Sequence, residues 1–600
     1  MTDGVETDPD DPDDPDEPGA LRLTRGMGDR GPSLTERLSD RLDRLAFASP
    51  FHRMRLKGRF PLKLIAVPED PVPGDPAIAA RLRAGRLFRD GYGQGMLDGR
   101  LDSPAAPLGW RRWVHGWGWL RDLSAADGLS QSEIARAEGL SKRWLARFNE
   151  YDEEAWAPDA TGNRILLTCM HAPLVIPGRD HVHRSAALNA VARWSRHLDR
   201  AAPRMQPGLP KIQALAGLIG SALILPGGEE RLARSLALLE QALTAVLHED
   251  GAPVSRSPID LAELGDLMLV LQAFHAARMQ KPSPPVARTL DLVRHTLGAL
   301  AMGDGLPAPW HGGQPSSAQM QRLGARISDM PPPRSSGFQR LSAGSLRLVV
   351  DAGPPPPARL NPATHASTLG FVFTDGGRAI IVSCGAERGA EGERAFPPEL
   401  VMGLRSTAGH SSLVLADTNS SRLPDGGPRR LGGVEEVVVE ARSTREGQWL
   451  EARHDGYRRR YGYDHLRRLW LNPEGTDLRG EDQLVPVRSP LAMSRHRAPL
   501  PVAIRFHLGA GAFATPTQDG RGALITLPGT GKAERGGQPD LAWALRASFN
   551  HAPGVLAIEP SLLVAPDGTM HEIQQILLTT MVEPGQPADI SWSFKRQSRG

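Results

Sequence analysis

The residues of this chain with the clearest capacity for chemistry are two histidines and one cysteine in its second half. They are His365, Cys384 and His410. Two imidazoles and one thiolate form a sound zinc set and leave a fourth coordination position for water. Imidazole can also act as a general base or acid near neutral pH. The residue types therefore indicate zinc binding or proton transfer, and the structural alternatives are a hydrogen-bonded histidine at a strand entry and a small buried thiol.

Alternating apolar residues predict that these three side chains lie on one β-sheet. Apolar alternation on both sides of residues 375–377, Asp-Gly-Gly, is typical of a hairpin. His365 precedes the first strand and Cys384 ends the second, so tight pairing would bring them together. His410 opens a third strand, which would have to lie in register beside them. We expect one zinc ion at this point, mainly structural, because no carboxylate suited to orienting catalytic zinc ligands is evident nearby.

The period of the apolar residues changes near Leu341. After this position apolar residues alternate, and turn signals recur every 8 to 15 residues, which predicts an antiparallel β-sandwich. Before it, apolar residues recur at spacings of three and four with Gly and Pro between the segments, which predicts successive antiparallel helices. The chain is therefore expected to be an α+β multidomain protein. The clearest helical segments are residues 185–198, 212–225, 230–247 and 260–276.

Composition divides the chain into four expected parts. Residues 1–32 form an acidic segment expected to be disordered, since its first 17 residues hold nine Asp or Glu and no basic residue. Residues 33–75 form a basic arm, residues 76–343 the helical domain and residues 344–600 the sandwich. The net charge is +3 and would be +12 without the acidic residues of the first segment. A basic body favours an anionic partner, although solvated, scattered arginines are the alternative.

Several functional classes are disfavoured by the sequence. No apolar run approaches the ~20 residues of a membrane span, and the first residues do not resemble a secretory signal. The two cysteines, Cys169 and Cys384, fall in different predicted domains and are expected to be free thiols. Nucleic acid is not an expected partner, because few aromatic residues interleave with the basic arm.

Several motifs in order resemble heparinase II/III-type polysaccharide lyases over about residues 75 to 580. This resemblance implies an N-terminal incomplete α/α toroid followed by a C-terminal antiparallel β-sandwich. It also implies β-elimination on an acidic, uronate-containing glycan, similar to a glycosaminoglycan, in the bacterial cell envelope or periplasm. The cytoplasm is the alternative location, since no signal peptide is visible. The motifs are VHGWGWLRDL (114–123), WAPDATGNRIL (156–166), NPATHASTLG (361–370), HDGYRRRYGY (454–463), DLRGEDQ (477–483) and RFHL (505–508).

The same resemblance predicts which residues would act in a cleft between the two domains. A uronate lyase must neutralise the substrate carboxylate and remove the proton beside it. Arg256 lies in a loop that matches the family pattern except that Pro253 stands where the family has histidine. Arg256 could clamp a carboxylate or simply brace its loop. The predicted catalytic residues are His365, Tyr457 and Arg256, and the predicted substrate-binding residues are Trp310, His311 and Arg458.

One departure from the family pattern divides the functional hypotheses. The family's lyases use a tyrosine of the helical domain together with an Asn-His pair, but none of the five tyrosines lies between residues 152 and 343. The first hypothesis is a polysaccharide lyase with an acidic polysaccharide as its partner. The alternative is a catalytically degenerate protein that binds a glycan or assembles envelope polysaccharide. Glycoside hydrolysis by paired carboxylates is a third class, but Asp250, Glu263 and Asp304 give it no specific signal.

Overall fold

The computed structural model describes residues 20–25, 34–58, 63–126, 128–176, 180–387, 396–423, 433–487, 498–529 and 540–597. Helices occupy the first half of the chain and strands the second, as the change of apolar period predicts. None of the helices in these described ranges is long and apolar enough to cross a membrane.

The helical domain is an array of antiparallel helices around a buried apolar helix. That central helix, Leu209–Ile224, begins after Gly208 and packs against four others. It crosses Pro158–Met170 so closely that a Cβ on Gly217 would lie 2.3 Å from the Cα of Gly162. The four helices predicted from the sequence are His181–Ala201, Leu209–Ile224, Glu229–Leu243 and Pro258–Ala277. In chain order the helices are α1 Leu34–Ala48, α2 Pro50–Leu56, α3 Pro76–Arg83, α4 Leu108–His115, α5 Trp119–Ser124, α6 Gln131–Arg147, α7 Pro158–Met170, α8 Ala172–Val175, α9 His181–Ala201, α10 Leu209–Ile224, α11 Glu229–Leu243, α12 Pro258–Ala277, α13 Pro284–Leu300 and α14 Ser317–Leu323.

The second domain is built from two antiparallel sheets. One sheet has nine strands and the other has eight, and apolar side chains from both fill the space between them. Two helices, α15 (Pro398–Arg405) and α16 (Arg458–Tyr461), lie in its connections. Its strands are β4 Phe338–Ala343, β5 Leu346–Asp351, β6 Phe371–Asp375, β7 Arg378–Val382, β8 Leu413–Leu415, β9 Glu436–Thr444, β10 Gly447–His454, β11 Tyr463–Leu471, β12 Asp477–Pro486, β13 Leu500–Leu508, β14 Phe513–Pro516, β15 Gly522–Leu527, β16 Leu541–Phe549, β17 Val555–Val564, β18 Met570–Val582 and β19 Ala588–Arg596.

The strand order shows that the sheets are formed by pairing across long sequence distances. The larger sheet runs β1-β9-β10-β11-β12-β19-β16-β15-β14, in which β1 is Leu21–Thr24. The smaller runs β17-β18-β13-β7-β6-β5-β4, with β8 paired to β13. The predicted hairpin is the β6–β7 pair, and it turns at residues 375–378. The third predicted strand, β8, pairs with residues 502–504 of β13, and β7 pairs with residues 507–508 of the same strand.

Three features of the fold differ from the sequence-based prediction. Leu21–Thr24, placed in the disordered segment by the sequence, is strand β1 and pairs with β9, because Leu21 and Leu23 can pack inward. The rest of that segment, residues 1–19 and 26–32, lies outside the described residues. A hairpin of Arg86–Arg89 (β2) and Tyr92–Gly95 (β3) lies within the helical domain. The sandwich begins with β4 at Phe338, six residues before the predicted boundary.

Candidate functional site at the domain interface

Arg256 fastens the helical domain to the sandwich. It precedes helix α12, whose N-terminus is capped by Ser257 accepting from the Asp260 amide. Its backbone is left-handed, with φ of 52°, and its guanidinium enters the sandwich. Nε donates to the Ser336 carbonyl at 2.7 Å, Nη1 donates to the Pro354 carbonyl at 2.7 Å, and Nη2 donates to the Asp351 carboxylate. The side chain is 7% exposed, so its donors are used by the protein itself.

His311 lies on the other side of the same carboxylate. Its Nδ1 accepts from the backbone amide of His365 at 3.3 Å, and its Nε2 lies 3.3 Å from both Asp351 Oδ2 and Arg256 Nη1. Burial lowers the pKa of His311, which is fully enclosed. Burial alone would raise the pKa of Asp351, but the charge of Arg256 and the contacts with His311 hold it far below its ordinary value. The group is an anionic carboxylate held by one cation and one neutral imidazole.

His365 and His410 continue this arrangement as a directed chain of hydrogen bonds. The Gly312 amide donates to His365 Nε2 at 3.1 Å, so His365 must carry its proton on Nδ1. That Nδ1 lies 3.2 Å from His410 Nε2, which therefore accepts, and His410 Nδ1 donates to Ser383 Oγ at 3.0 Å. Burial holds the pKa of His365 well below its ordinary value and lowers that of His410 to about 3. Both rings are neutral, and each ring nitrogen is used within the chain.

Trp310 completes the enclosure. Its ring stacks on Phe338 at 6.0 Å and on His410 at 5.9 Å, both with interplanar angles of 26°. Only 1% of Trp310 is exposed, and the same is true of His365. The cluster is thus a sealed joint between the domains, and a polymeric substrate cannot reach it as it stands.

Four of the predicted site residues lie together, as expected. They are buried, however, and do not line an open cleft. Arg256, Trp310, His311 and His365 do come together at the boundary of the two domains, but as buried residues. Their predicted location on a cleft wall is wrong, because each packs against the facing domain. Their donors and ring nitrogens are largely taken up inside the protein.

The two predicted residues of the HDGYRRRYGY motif lie elsewhere in the sandwich. Tyr457 is 1% exposed and donates to the Leu413 carbonyl at 2.9 Å. Burial raises the pKa of Tyr457 well above its ordinary value, so it is a poor base. Arg458 is paired with Asp464, its Nε donating at 2.8 Å and its Nη2 at 2.7 Å. The predicted position of Tyr457 on the cleft wall is wrong, because this side chain is buried in the sandwich. Arg458, predicted to bind substrate, is not among the described residues that line the cleft.

The predicted zinc ligands do not form one set. Ser383 faces His410, so the next residue, Cys384, points to the opposite side of the backbone, as alternation requires. There the Cys384 sulfur lies 3.5 Å from His507 Nδ1 and 3.8 Å from Ser561 Oγ. Burial raises the pKa of Cys384 to about 11, which disfavours the thiolate that zinc requires. Across the described residues no group of three or more His, Cys, Asp or Glu is placed to hold a metal ion, so the three-ligand set is wrong and these residues do not fit zinc.

Two residues important to the joint carried little sequence signal. Asp351 ends strand β5 and is the shared partner of Arg256, His311 and Ser367. Asn361 donates from Nδ2 to the His311 carbonyl at 2.7 Å and to the Ser255 carbonyl at 3.0 Å. The sequence signal for Asp351 was weak: it is a charged residue at the end of an apolar strand. Asn361 opens the NPATHAS motif, but nothing in its type indicated that it bridges the domains.

The open cleft between the domains has different walls from those predicted. It encloses about 720 Å³ and lies between α7, the start of α10, the start of α12 and the sandwich segment around residues 359–363. Neither histidine nor tyrosine is among the described residues that line it. Its ionisable side chains are the carboxylates Asp159, Asp260, Glu263 and Glu387 and the cations Arg112 and Arg359. Carboxylates are therefore the larger group in this cleft.

Comparison with known proteins finds a matching family and a relative of nearly the same length. The heparinase II/III-like C-terminal domain family matches residues 326–593. Over 576 residues the chain is 30% identical to FtsZ-localized protein C of Caulobacter vibrioides, covering 92% of this chain and 94% of that protein.

Solved structures agree in fold at low sequence identity. A crystal structure of heparinase III matches with a TM-score of 0.65 at 10% identity, covering 96% of this chain and 93% of that one. A mutant of heparan sulfate lyase HepC from Pedobacter heparinus matches with a TM-score of 0.59 at 11% identity, covering 87% and 83%. The expected incomplete α/α toroid followed by a β-sandwich is confirmed, and the chain belongs to the heparinase II/III-like family.

Proposed function

We propose that this chain keeps the heparinase fold as a binding protein and has lost the lyase reaction. The observation that carries this proposal is the sealed joint: His365 and Arg256 are enclosed and hydrogen-bonded to the protein itself. A lyase must present a base to the substrate and neutralise a carboxylate. Neither group is free to do so while the two domains remain packed.

The charge of the open cleft supports the same conclusion. The described lining has four carboxylates against two arginines, and Arg112 lies 3.9 Å from Asp159. Arginines do not outnumber carboxylates among the described lining residues, so the lining offers no excess of positive charge to attract a polyuronate chain. An acidic glycan is therefore a poor substrate for the cleft, and the described residues that line it include no histidine or tyrosine to act as the base.

The test is a search for lyase activity. Purified protein is incubated with heparan sulfate, alginate and polygalacturonate, and the ultraviolet absorbance of the unsaturated uronate product is followed. We expect no absorbance change with any of these polymers. Steady product formation that is abolished by His365→Ala, in a variant that remains folded, would overturn the proposal.

We further propose that the chain associates with FtsZ. The support is its 30% identity, across nearly the full length of both chains, to a protein whose name describes an FtsZ-localized protein. Sedimentation of purified FtsZ polymers with the protein tests this directly. We expect the protein to enter the pellet only when FtsZ is polymerised, and equal amounts in the pellet with and without polymers would contradict the proposal.

A second candidate function, association with a membrane surface, is favoured by the N-terminal helix α1. On one side its Phe47 packs against His197, with ring centroids 5.1 Å apart. On another, Leu38, Leu42 and Leu45 recur at helical spacing and are 59%, 57% and 70% exposed. Such a stripe suits a helix lying in the interface of a bilayer.

Helix α2 extends the exposed apolar stripe and adds positive charge. Phe51 and Met54 are 74% and 64% exposed. The basic residues Arg53, Arg55 and Lys57 are exposed beside them, and Arg53 also pairs with Glu150 at 3.0 Å. Basic residues beside an apolar face that enters the bilayer strengthen binding to anionic lipids.

Vesicle sedimentation tests the membrane proposal. We expect the protein to pellet with vesicles containing phosphatidylglycerol, and Leu42→Glu to remove this binding by placing a charge in the apolar face. Val555→Glu is the matched control, since Val555 is 63% exposed on strand β17 of the sandwich. Equal binding by Leu42→Glu and wild type would contradict the assignment.

A further inference from the structure

The outer face of the nine-stranded sheet carries a groove that the domain interface does not use. It encloses about 590 Å³ and crosses strands β10, β11, β12, β19 and β16. Five strands spaced about 4.8 Å apart span about 19 Å, which is long enough for an extended oligomer. Small residues form part of its floor, including Gly480, Ala547 and Ser591. The groove is therefore shallow and open along its length.

Two tryptophans form an aromatic wall at one end of this groove. Trp449 and Trp470 are directly opposite each other on β10 and β11, with ring centroids 5.9 Å apart and planes inclined by 48°. Arg479, opposite Trp470 on β12, lies over the Trp470 ring at 4.8 Å. Trp449 is 48% exposed. An exposed indole on a folded sheet is a surface on which a flat ligand with C–H groups can stack.

Polar side chains occupy a second row two residues away on the same face. Arg468, Glu481 and Ser591 are successive partners across β11, β12 and β19. Arg468 Nη1 donates to Glu481 at 3.1 Å, so the pair is held in place while both groups stay partly accessible. Guanidinium donates, carboxylate accepts and serine hydroxyl does both. This mixture suits a ligand that carries many hydroxyl groups.

The charges in and around the groove balance. The described lining holds four cations and one carboxylate, Glu481, and each cation pairs with Glu481 or with a carboxylate beside the groove, so the positive charge is compensated. An uncharged ligand matches this balance better than a polyanion does. The cations are Arg468, Arg479, Arg546 and Lys595, and the carboxylates paired with them are Glu451, Glu481, Asp477 and Asp519.

We propose that this groove binds an uncharged pyranose oligosaccharide. A sugar ring stacks on Trp449, and hydroxyl groups of the following rings bond to the Arg468–Glu481 pair and to Ser591 and Ser593. The site is separate from the domain interface and requires no reaction. It adds a glycan ligand to the proposed binding function and does not depend on the loss of lyase activity.

The experiment is calorimetric titration of the full chain with chitohexaose and cellohexaose, and with hexagalacturonate as the anionic comparison. We expect saturable binding of at least one uncharged oligosaccharide. Trp449→Ala should weaken it about tenfold, as loss of about 1.4 kcal/mol implies, and Glu481→Gln should weaken it while keeping the shape of the site. Phe513→Ala is the control, because Phe513 is 55% exposed on β14 of the same sheet and does not line the groove.

Three results would overturn the proposal. One is absence of binding to both uncharged oligosaccharides, and another is tighter binding of hexagalacturonate, which would make this an anion site. The third is unchanged affinity in both Trp449→Ala and Glu481→Gln while the circular dichroism spectra show folded protein. The lyase assay is independent of these outcomes, so failure of the groove and failure of the proposed binding function can be told apart.

Discussion

Substitution of Arg256 by alanine should loosen the joint between the two domains. The change removes charged donors to two backbone carbonyls, those of Ser336 and Pro354, and leaves the Asp351 carboxylate buried without its cation. Removal of one partner of a buried ion pair generally costs about 3–5 kcal/mol. We expect a loss of this size, because Asp351 has no exposure through which water could replace the guanidinium.

The assay is urea unfolding followed by circular dichroism and tryptophan fluorescence. A chain with two domains need not unfold in one step, so the comparison concerns the first transition. Arg442→Ala is the matched control, because Arg442 is 64% exposed in its pair with Glu440 and should contribute little. If Arg256→Ala shifts the first transition no more than Arg442→Ala does, the buried pair does not hold the domains together.

Two further measurements separate this explanation from a general packing defect. Arg256→Met combined with Asp351→Asn should recover much of the lost stability, because no uncompensated charge then remains buried.

The second measurement is the pH dependence of unfolding. In wild type the pKa of Asp351 is depressed, so its contribution to the free energy of unfolding is present above the unfolded pKa near 3.9 and is lost as pH falls. Without Arg256 its folded pKa should rise above that value. The gap between wild type and Arg256→Ala should therefore narrow from pH 7 to pH 4.

Three other predictions follow from the buried groups. Burial holds the pKa of His365 well below its ordinary value and lowers that of His410 to about 3, so the folded state resists protonation that the unfolded chain accepts below about pH 6.5; the free energy of unfolding should fall by about 1.4 kcal/mol per pH unit for each of these two histidines, and an unfolding midpoint that does not change between pH 7 and pH 5 would contradict this. Tyr457→Phe should cost about 1–3 kcal/mol by leaving the Leu413 carbonyl unpaired, with no effect on FtsZ pelleting; an unchanged unfolding midpoint would refute it. Elemental analysis of protein purified without chelator should find far less than one zinc per chain, because the histidine nitrogens are already used; one zinc per chain whose removal lowers stability would refute that expectation.

Much of the architecture followed from the sequence because it depends on local periodicity. Apolar spacings of three and four recur in the segments that form α9 to α12, and alternation begins close to Phe338, where the strands begin. The grouping of His365 with His410 was also predictable, since both adjoin strands of one sheet. The family was accessible because several motifs occur in the same order along the chain.

Tertiary structure alone decided which way the candidate residues face and what encloses them. A displacement of one residue along extended backbone reverses the side-chain direction, so Ser383 meets His410 while Cys384 turns to His507. No local sequence pattern shows whether a histidine is exposed to water. Here Trp310 and the facing domain exclude water through contacts between residues far apart in sequence. The charge of the open cleft likewise arises from segments brought together only by folding. The sequence by itself therefore determined the kinds of element and their order, and long-range packing converted an expected active site into an interdomain joint.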